Sequence, residues 1–83
     1  MAEVFEIKII SPEKILYEGK GDFVEFTTVE GRIGVYPNHI PLTTVLVPCI
    51  IKVHQGEHVE KIEVFGGFAE ILKDKITVLA ENS

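Results

Sequence analysis

Residues 50–65 read IIKVHQGEHVEKIEVF, and the choice between helix and strand for this stretch decides the fold. Residues 57–65 are the nearest approach to an amphipathic helix anywhere in the chain. Their Val and Ile content argues the other way, because branching at Cβ suits a pleated surface better than a helical turn. The centre of the stretch, Gln55-Gly56-Glu57, carries a glycine that adopts positive φ at little cost, as a tight hairpin requires. The reading is therefore a β-hairpin that joins IIKVH to HVEKIEVF.

The same period of two recurs outward from this hairpin. Phe5, Ile7 and Ile9 alternate with Glu6 and Lys8. Val24, Phe26 and Thr28 alternate with Glu25 and Thr27; Ile51 and Val53 flank Lys52; Ile76 and Val78 flank Thr77. Alternation of this kind sends one set to a buried face and the other outward. Turn signals punctuate the strands at Ser11-Pro12, Glu18-Gly19, Glu30-Gly31, Tyr36-Pro37-Asn38, Gln55-Gly56, Gly66-Gly67 and Lys73-Asp74. Gly66-Gly67 predicts a bulge or a close approach of strands. Short strands at this spacing predict an all-β protein, a small two-sheet β-sandwich. Residues 1–83 form a single domain with no linker, repeat or low-complexity tract.

Composition excludes several functional classes. With a net charge of −5, seven Lys scattered singly and one Arg, the chain lacks the basic footprint of a nucleic-acid binder. Anionic lipid is disfavoured for the same reason. Acids in MAEVFEIKII stand where a signal peptide needs bases, and no run approaches the length of a membrane span, so no direct membrane insertion is expected. The lone Cys49 precludes an internal disulfide and suits a reducing compartment. The expectation is a soluble chain able to sit beside a membrane as part of a larger assembly.

Residues that carry chemistry do not assemble into a site. His54 and His58 are four apart, but a turn separates them, so they do not converge as they would on one helix face. They read as solvated hairpin histidines, and no metal site is expected. Cys49 sits between Pro48 and apolar neighbours, which predicts a buried, unreactive thiol, and no nucleophile elbow occurs. Gly66-Gly67 lacks the Lys and the helix of a phosphate loop. The eleven Glu residues spread over strand faces single out no carboxylate pair. Catalytic residues, nucleotide-binding residues and cofactors are expected to be none.

GVYPNHIPL, residues 34–42, is a different kind of signal. Pro37 and Pro41 fix their own φ and push the residues before them toward extended geometry. Asn38 tolerates a left-handed backbone and can close a turn with its side chain. The result is a braced corner with His39 at its tip, a shape suited to protein recognition at low entropic cost. From the residues alone, a stand-alone binding module that uses this corner is one reading of the chain.

The run EGRIGVYPNHIPLTTVLVPC carries a further signal: together with FEIKIISPE, GGFAE and ITVLA it resembles the epsilon subunit family of F-type ATP synthases, nearly end to end and in order. The resemblance implies a sandwich of about ten strands and a non-catalytic central-stalk role, coupling proton flow to ATP synthesis. It implies two partners, the gamma subunit and the c-ring. Glu30, Gly31, Arg32 and Ile33 match the hairpin that faces the c-ring. Ser11, Tyr36, Pro37, Asn38, His39, Pro41 and Leu42 match the side that faces gamma. It implies a place on the cytoplasmic side of a bacterial plasma membrane, or the equivalent face in an organelle. Arg32 stands where relatives often carry an acidic or neutral residue, and Cys49 replaces a glycine, with strain expected if the family's positive φ persists there. The C-terminal helical domain of typical relatives is expected to be absent from this chain.

Overall fold

The computed structural model describes residues 3–38 and 40–81. Its nine strands are β1 (Phe5–Ile10), β2 (Ile15–Gly21), β3 (Phe23–Thr28), β4 (Gly31–Val35), β5 (Leu42–Leu46), β6 (Cys49–Gln55), β7 (His58–Val64), β8 (Gly67–Ile71) and β9 (Lys75–Ala80). They stack in two layers. One has the order β4-β3-β6-β7, the other β5-β8-β9-β1-β2, and a single register pair, Thr28 with Leu46, joins them into one continuous sheet through the hydrogen bonds on either side of it, Val29 N–H to the Val45 carbonyl and Val47 N–H to the Thr27 carbonyl. The expected all-β sandwich is present, with nine strands against the ten or so implied. All pairings are antiparallel except β1 with β9, which run side by side in register from Glu6–Lys75 to Ile10–Leu79.

The alternation in the sequence maps onto the core. Phe5, Ile7, Ile9, Val24, Phe26, Ile51, Val53, Ile71, Ile76 and Val78 are all buried between the layers. Each such side chain contributes about 1.5–3 kcal/mol through the apolar area it removes from water. The residues 50–65 form the expected hairpin: β6 and β7 pair from Cys49–Val64 to Gln55–His58, and Gly56 sits in the two-residue turn at φ 64°. Asp22 Oδ2 accepts a hydrogen bond from the Gly56 N–H at 3.0 Å and ties this turn to the start of β3.

Two expectations need correction. Glu18-Gly19 is not a turn: it lies inside β2, where Glu18 pairs with Lys8 and Gly19 with Ile7. The glycine serves close packing, since a Cβ there would lie 3.1 Å from the Tyr17 hydroxyl. His54 is not a solvated hairpin histidine. It is half-buried on the outer face of the β3–β6 pair, with Nε2 2.7 Å from Glu25 Oε2. Arg32 on β4 reaches the same carboxylate, Nη2 to Oε1 at 3.3 Å, and donates to Thr27 Oγ1 at 3.3 Å. These contacts hold Glu25 below the usual carboxylate range, chiefly through the His54 hydrogen bond; partial burial opposes the effect and Arg32 adds to it.

Gly66-Gly67 is a close approach, as expected. At φ 139°, Gly67 presses on β9 so tightly that a Cβ would lie 2.2 Å from the Leu79 carbonyl oxygen and 2.9 Å from Ala80 Cα. Both obstacles are backbone and cannot give way. Gly31 also has positive φ, but open space surrounds it. Gly67→Ala should therefore cost about 3–5 kcal/mol in urea denaturation, strain and clash together. Gly31→Ala should cost about 1 kcal/mol, from strain alone. Equal losses would show that backbone conformation, not the contact with β9, is what Gly67 provides.

Because Glu25 binds its proton more weakly when folded than when unfolded, the stability it contributes is present above the ordinary carboxylate range. That stability is lost as pH falls through the depressed folded value. Glu25→Gln should lower the urea midpoint at pH 7, with the deficit narrowing toward pH 3. A deficit unchanged at pH 3 would mean that packing, not charge, is what Glu25 supplies.

Candidate partner-binding surfaces

Strand direction sorts the loops into two ends. The turns at residues 11–14, 29–30, 47–48 and 65–66 gather at one end with Glu81. Residues 3–4, 21–22, 36–38, 40–41, 56–57 and 72–74 gather at the other. The expected gamma-facing set is therefore split. Ser11 shares its end with Glu30 and Gly31, while Tyr36, Pro37, Asn38, Pro41 and Leu42 lie at the far end of the strands. His39 falls outside the described residues.

Ser11 is committed to its own turn: its hydroxyl donates to the Lys14 carbonyl at 3.2 Å and accepts from the Glu13 and Lys14 N–H groups at 3.4 and 3.3 Å. What it offers a partner is position. At the hairpin, Thr28 is buried, donates its hydroxyl to the Gly31 carbonyl at 2.9 Å and accepts the Glu30 N–H at 3.1 Å. That closure presents Glu30 and Gly31 to solvent at the tip. Arg32 is exposed but already paired with Glu25, and Ile33 is half-buried against the core.

At the other end, Asn38 takes the left-handed conformation with φ 69°, which asparagine tolerates. Its N–H donates to the Lys73 carbonyl at 2.8 Å. Its side-chain amide donates to the carboxylate of Glu3. Tyr36 is 65% exposed and Leu42 41% exposed.

An extended apolar surface is one that the sequence reading missed. On the outer face of the second layer, Ile15, Ile10, Leu79, Phe68 and Val45 stand in register across β2, β1, β9, β8 and β5. At the usual strand spacing the row is about 19 Å wide. Phe68 is 57% exposed and Leu79 51%. Val29, whose N–H donates to the Val45 carbonyl at 3.0 Å, extends the row toward the hairpin, and Ser11 and Pro12 border it beside Ile10 and Leu79. A signal for it existed. Phe68 and Leu79 are apolar residues on the outward phase of strands whose inward phase, Ala69 and Ile71 or Val78 and Ala80, is already apolar. An exposed apolar strip of this extent marks an interaction surface.

Catalytic geometry is not among these features. No group of three His, Cys, Asp or Glu residues capable of holding a metal occurs among the described residues. Cys49 is free and half-buried, not fully buried, and its thiol contacts the Thr27 backbone, accepting from N–H at 3.5 Å and donating to the carbonyl at 3.7 Å. Cys49 is not among the positive-φ residues, so the strain expected there is absent and the chain simply enters β6 at this point.

Residues 4–83 match the model of the ATP synthase delta/epsilon chain β-sandwich domain. The ATP synthase epsilon chain of Halalkalibacterium halodurans is 39% identical over 75 residues, which cover 90% of this chain and 56% of that one. The epsilon chain of Leptospira interrogans is 38% identical over 81 residues, covering 98% and 64%. This chain thus spans about three-fifths of the length of the curated relatives it matches. Among solved structures, a chain of the Euglena gracilis mitochondrial ATP synthase superposes with TM-score 0.85 at 19% identity, over 92% of this chain and 49% of that one. A chain of the Tetrahymena thermophila mitochondrial enzyme superposes with TM-score 0.70, also at 19% identity, over 94% and 65%. The match over nearly every residue, with the same sandwich in both structures, shows that the chain belongs to the family of ATP synthase delta/epsilon chain β-sandwich domains.

Proposed function

We propose that this chain is a non-catalytic central-stalk element of a proton-translocating F-type ATP synthase, which binds the gamma subunit and the c-ring and helps couple proton flow to ATP synthesis. The observation that carries the reading is the apolar row across five strands, a surface that needs a protein partner to cover it. The solved neighbours, one of them a central stalk with its c-ring, supply the context for that partner.

Gamma covers the row in this reading. β5 links the row to the proline corner: it starts at Leu42, beside the corner, and about 10 Å along it carries Val45, the last residue of the row. A partner laid along β5 therefore meets Ser11 and the row at one end and Tyr36, Pro37, Asn38 and Pro41 at the other, although these sets lie apart. The hairpin tip at Glu30 and Gly31 points along the strands, away from the face that carries the row. This leaves it available to the polar loops of the c-ring while gamma is bound. Arg32 acts there as a neutralised group, its charge balanced by Glu25. The chain is peripheral, on the cytoplasmic side of a bacterial membrane or the equivalent organelle face; no helix among the described residues is long and apolar enough to cross a bilayer.

Native mass spectrometry with the cognate gamma subunit should show a one-to-one complex at micromolar concentration and no ATP turnover by this chain alone. Phe68→Ser, whose side chain is outward and off the core, should weaken that complex at least tenfold, about 1.4 kcal/mol, while leaving the urea midpoint nearly unchanged. A wild-type chain that forms no complex would overturn the reading. Glu30→Lys should reduce retention of the c-ring in a reconstituted rotor more than it reduces gamma affinity. Parallel losses would remove the hairpin from the c-ring contact.

A further inference from the structure

The far end of the sandwich holds a cleft whose chemistry these roles do not specify. Phe23, the first residue of β3, reaches toward Gly34 on β4, where a Cβ would come within 2.5 Å of the tip of its ring. The absence of a side chain at Gly34 therefore seats the ring. Phe23 then forms the middle of three rings in tilted contact, which cross β6, β3 and the chain just past β4. Its centroid is 5.1 Å from that of His54 and 4.4 Å from that of Tyr36, the latter tilted by 33°. Beyond Tyr36 the surface opens into a cleft of about 480 Å³ lined by Glu3, Asp22, Phe23, Tyr36, Pro37 and Asn38.

The composition of this cleft is selective. Its walls are two aromatic rings and a prolyl ring, and its charged groups are both carboxylates. No Lys or Arg lines it. Among the described residues neither carboxylate has an ion-pair partner, unlike Glu18, Glu25 and Glu60. Asp22 uses one oxygen on the Gly56 N–H, and Glu3 uses one on the Asn38 amide, so both carboxylates are held at the rim by neutral donors that leave their charge uncompensated. An aromatic face attracts a cation through its quadrupole, and a carboxylate at its edge supplies acceptors for N–H groups.

We propose that this cleft takes the guanidinium of an arginine side chain presented by a partner protein. The planar group stacks on Tyr36 while its edge N–H groups reach Asp22 and Glu3. This geometry suits arginine better than lysine, whose compact ammonium has no flat face to stack and no fixed fork of donors. The inference rests on the proposed function only for the identity of the partner, since the corner that lines one side of the cleft is the part assigned to gamma; the chemistry of the bound group stands on the cleft itself.

The test uses the 15N-labelled 83-residue chain and Nα-acetyl-arginine methylamide, with the citrulline analogue as an uncharged isostere. The arginine compound should move the amide signals of Asp22, Phe23, Tyr36 and Asn38 along a saturable curve with a midpoint of about 1–10 mM, and citrulline should bind at least tenfold more weakly. Tyr36→Leu, which keeps an apolar cover on Phe23, and Asp22→Asn, which keeps an acceptor for Gly56, should each raise the midpoint about threefold or more. No saturable shift at these residues, or equal binding of citrulline, would overturn the proposal. A saturable arginine titration without a gamma complex would leave the cleft standing and remove gamma as its partner. A gamma complex without an arginine response would do the reverse.

Discussion

Two layers of strands depend on one backbone pair. β3 lies beside β6 for its first half and meets β5 only at its last residue, where Thr28 pairs with Leu46. That junction turns two sheets into one continuous network, and Thr28 is the one buried polar side chain among the described residues. A hydroxyl buried there must be satisfied, and it is, by the two ends of the turn that follows. The residue that joins the layers thus also shapes the hairpin tip. The joining of the layers and the shape of the tip cannot be varied independently.

Around that junction the molecule has an inside that obeys period two and an outside that departs from it in places. The inside reads directly from sequence, because burial between two layers demands an apolar residue at every second position; Phe5, Ile7 and Ile9, or Ile51 and Val53, leave little choice of phase. The departures carry the information about partners. Phe68 and Leu79 point outward on strands that had already met their burial requirement inward, and Phe23 reaches toward a glycine on the opposite face. A domain of this size buries its core with one phase alone, so apolar residues on the second phase call for another explanation.

What sequence left hidden is what depends on register and strand direction. Ser11 and the proline corner belong to one expected surface, yet they sit at opposite ends, because β1 leaves one end and β4 arrives at the other. Glu25 meets His54 from 29 positions away, and nothing in either local sequence announces the pairing. Glu18-Gly19 resembles a turn by composition, but Gly19 answers a packing need, the ring of Tyr17 above it. Cys49 in place of a glycine is harmless here because the backbone enters β6 without the left-handed conformation a glycine would permit.

β1 and β9, the first strand and the last, lie side by side and point the same way. A force applied between the start of one and the end of the other pulls them along their length in opposite senses. Their hydrogen bonds are then loaded together in shear, not opened one at a time as in an unzipping hairpin. The five residue pairs from Glu6–Lys75 to Ile10–Leu79 share the load, with β2 and β8 flanking them on either side. This places mechanical resistance in the middle of a layer and spares the edges.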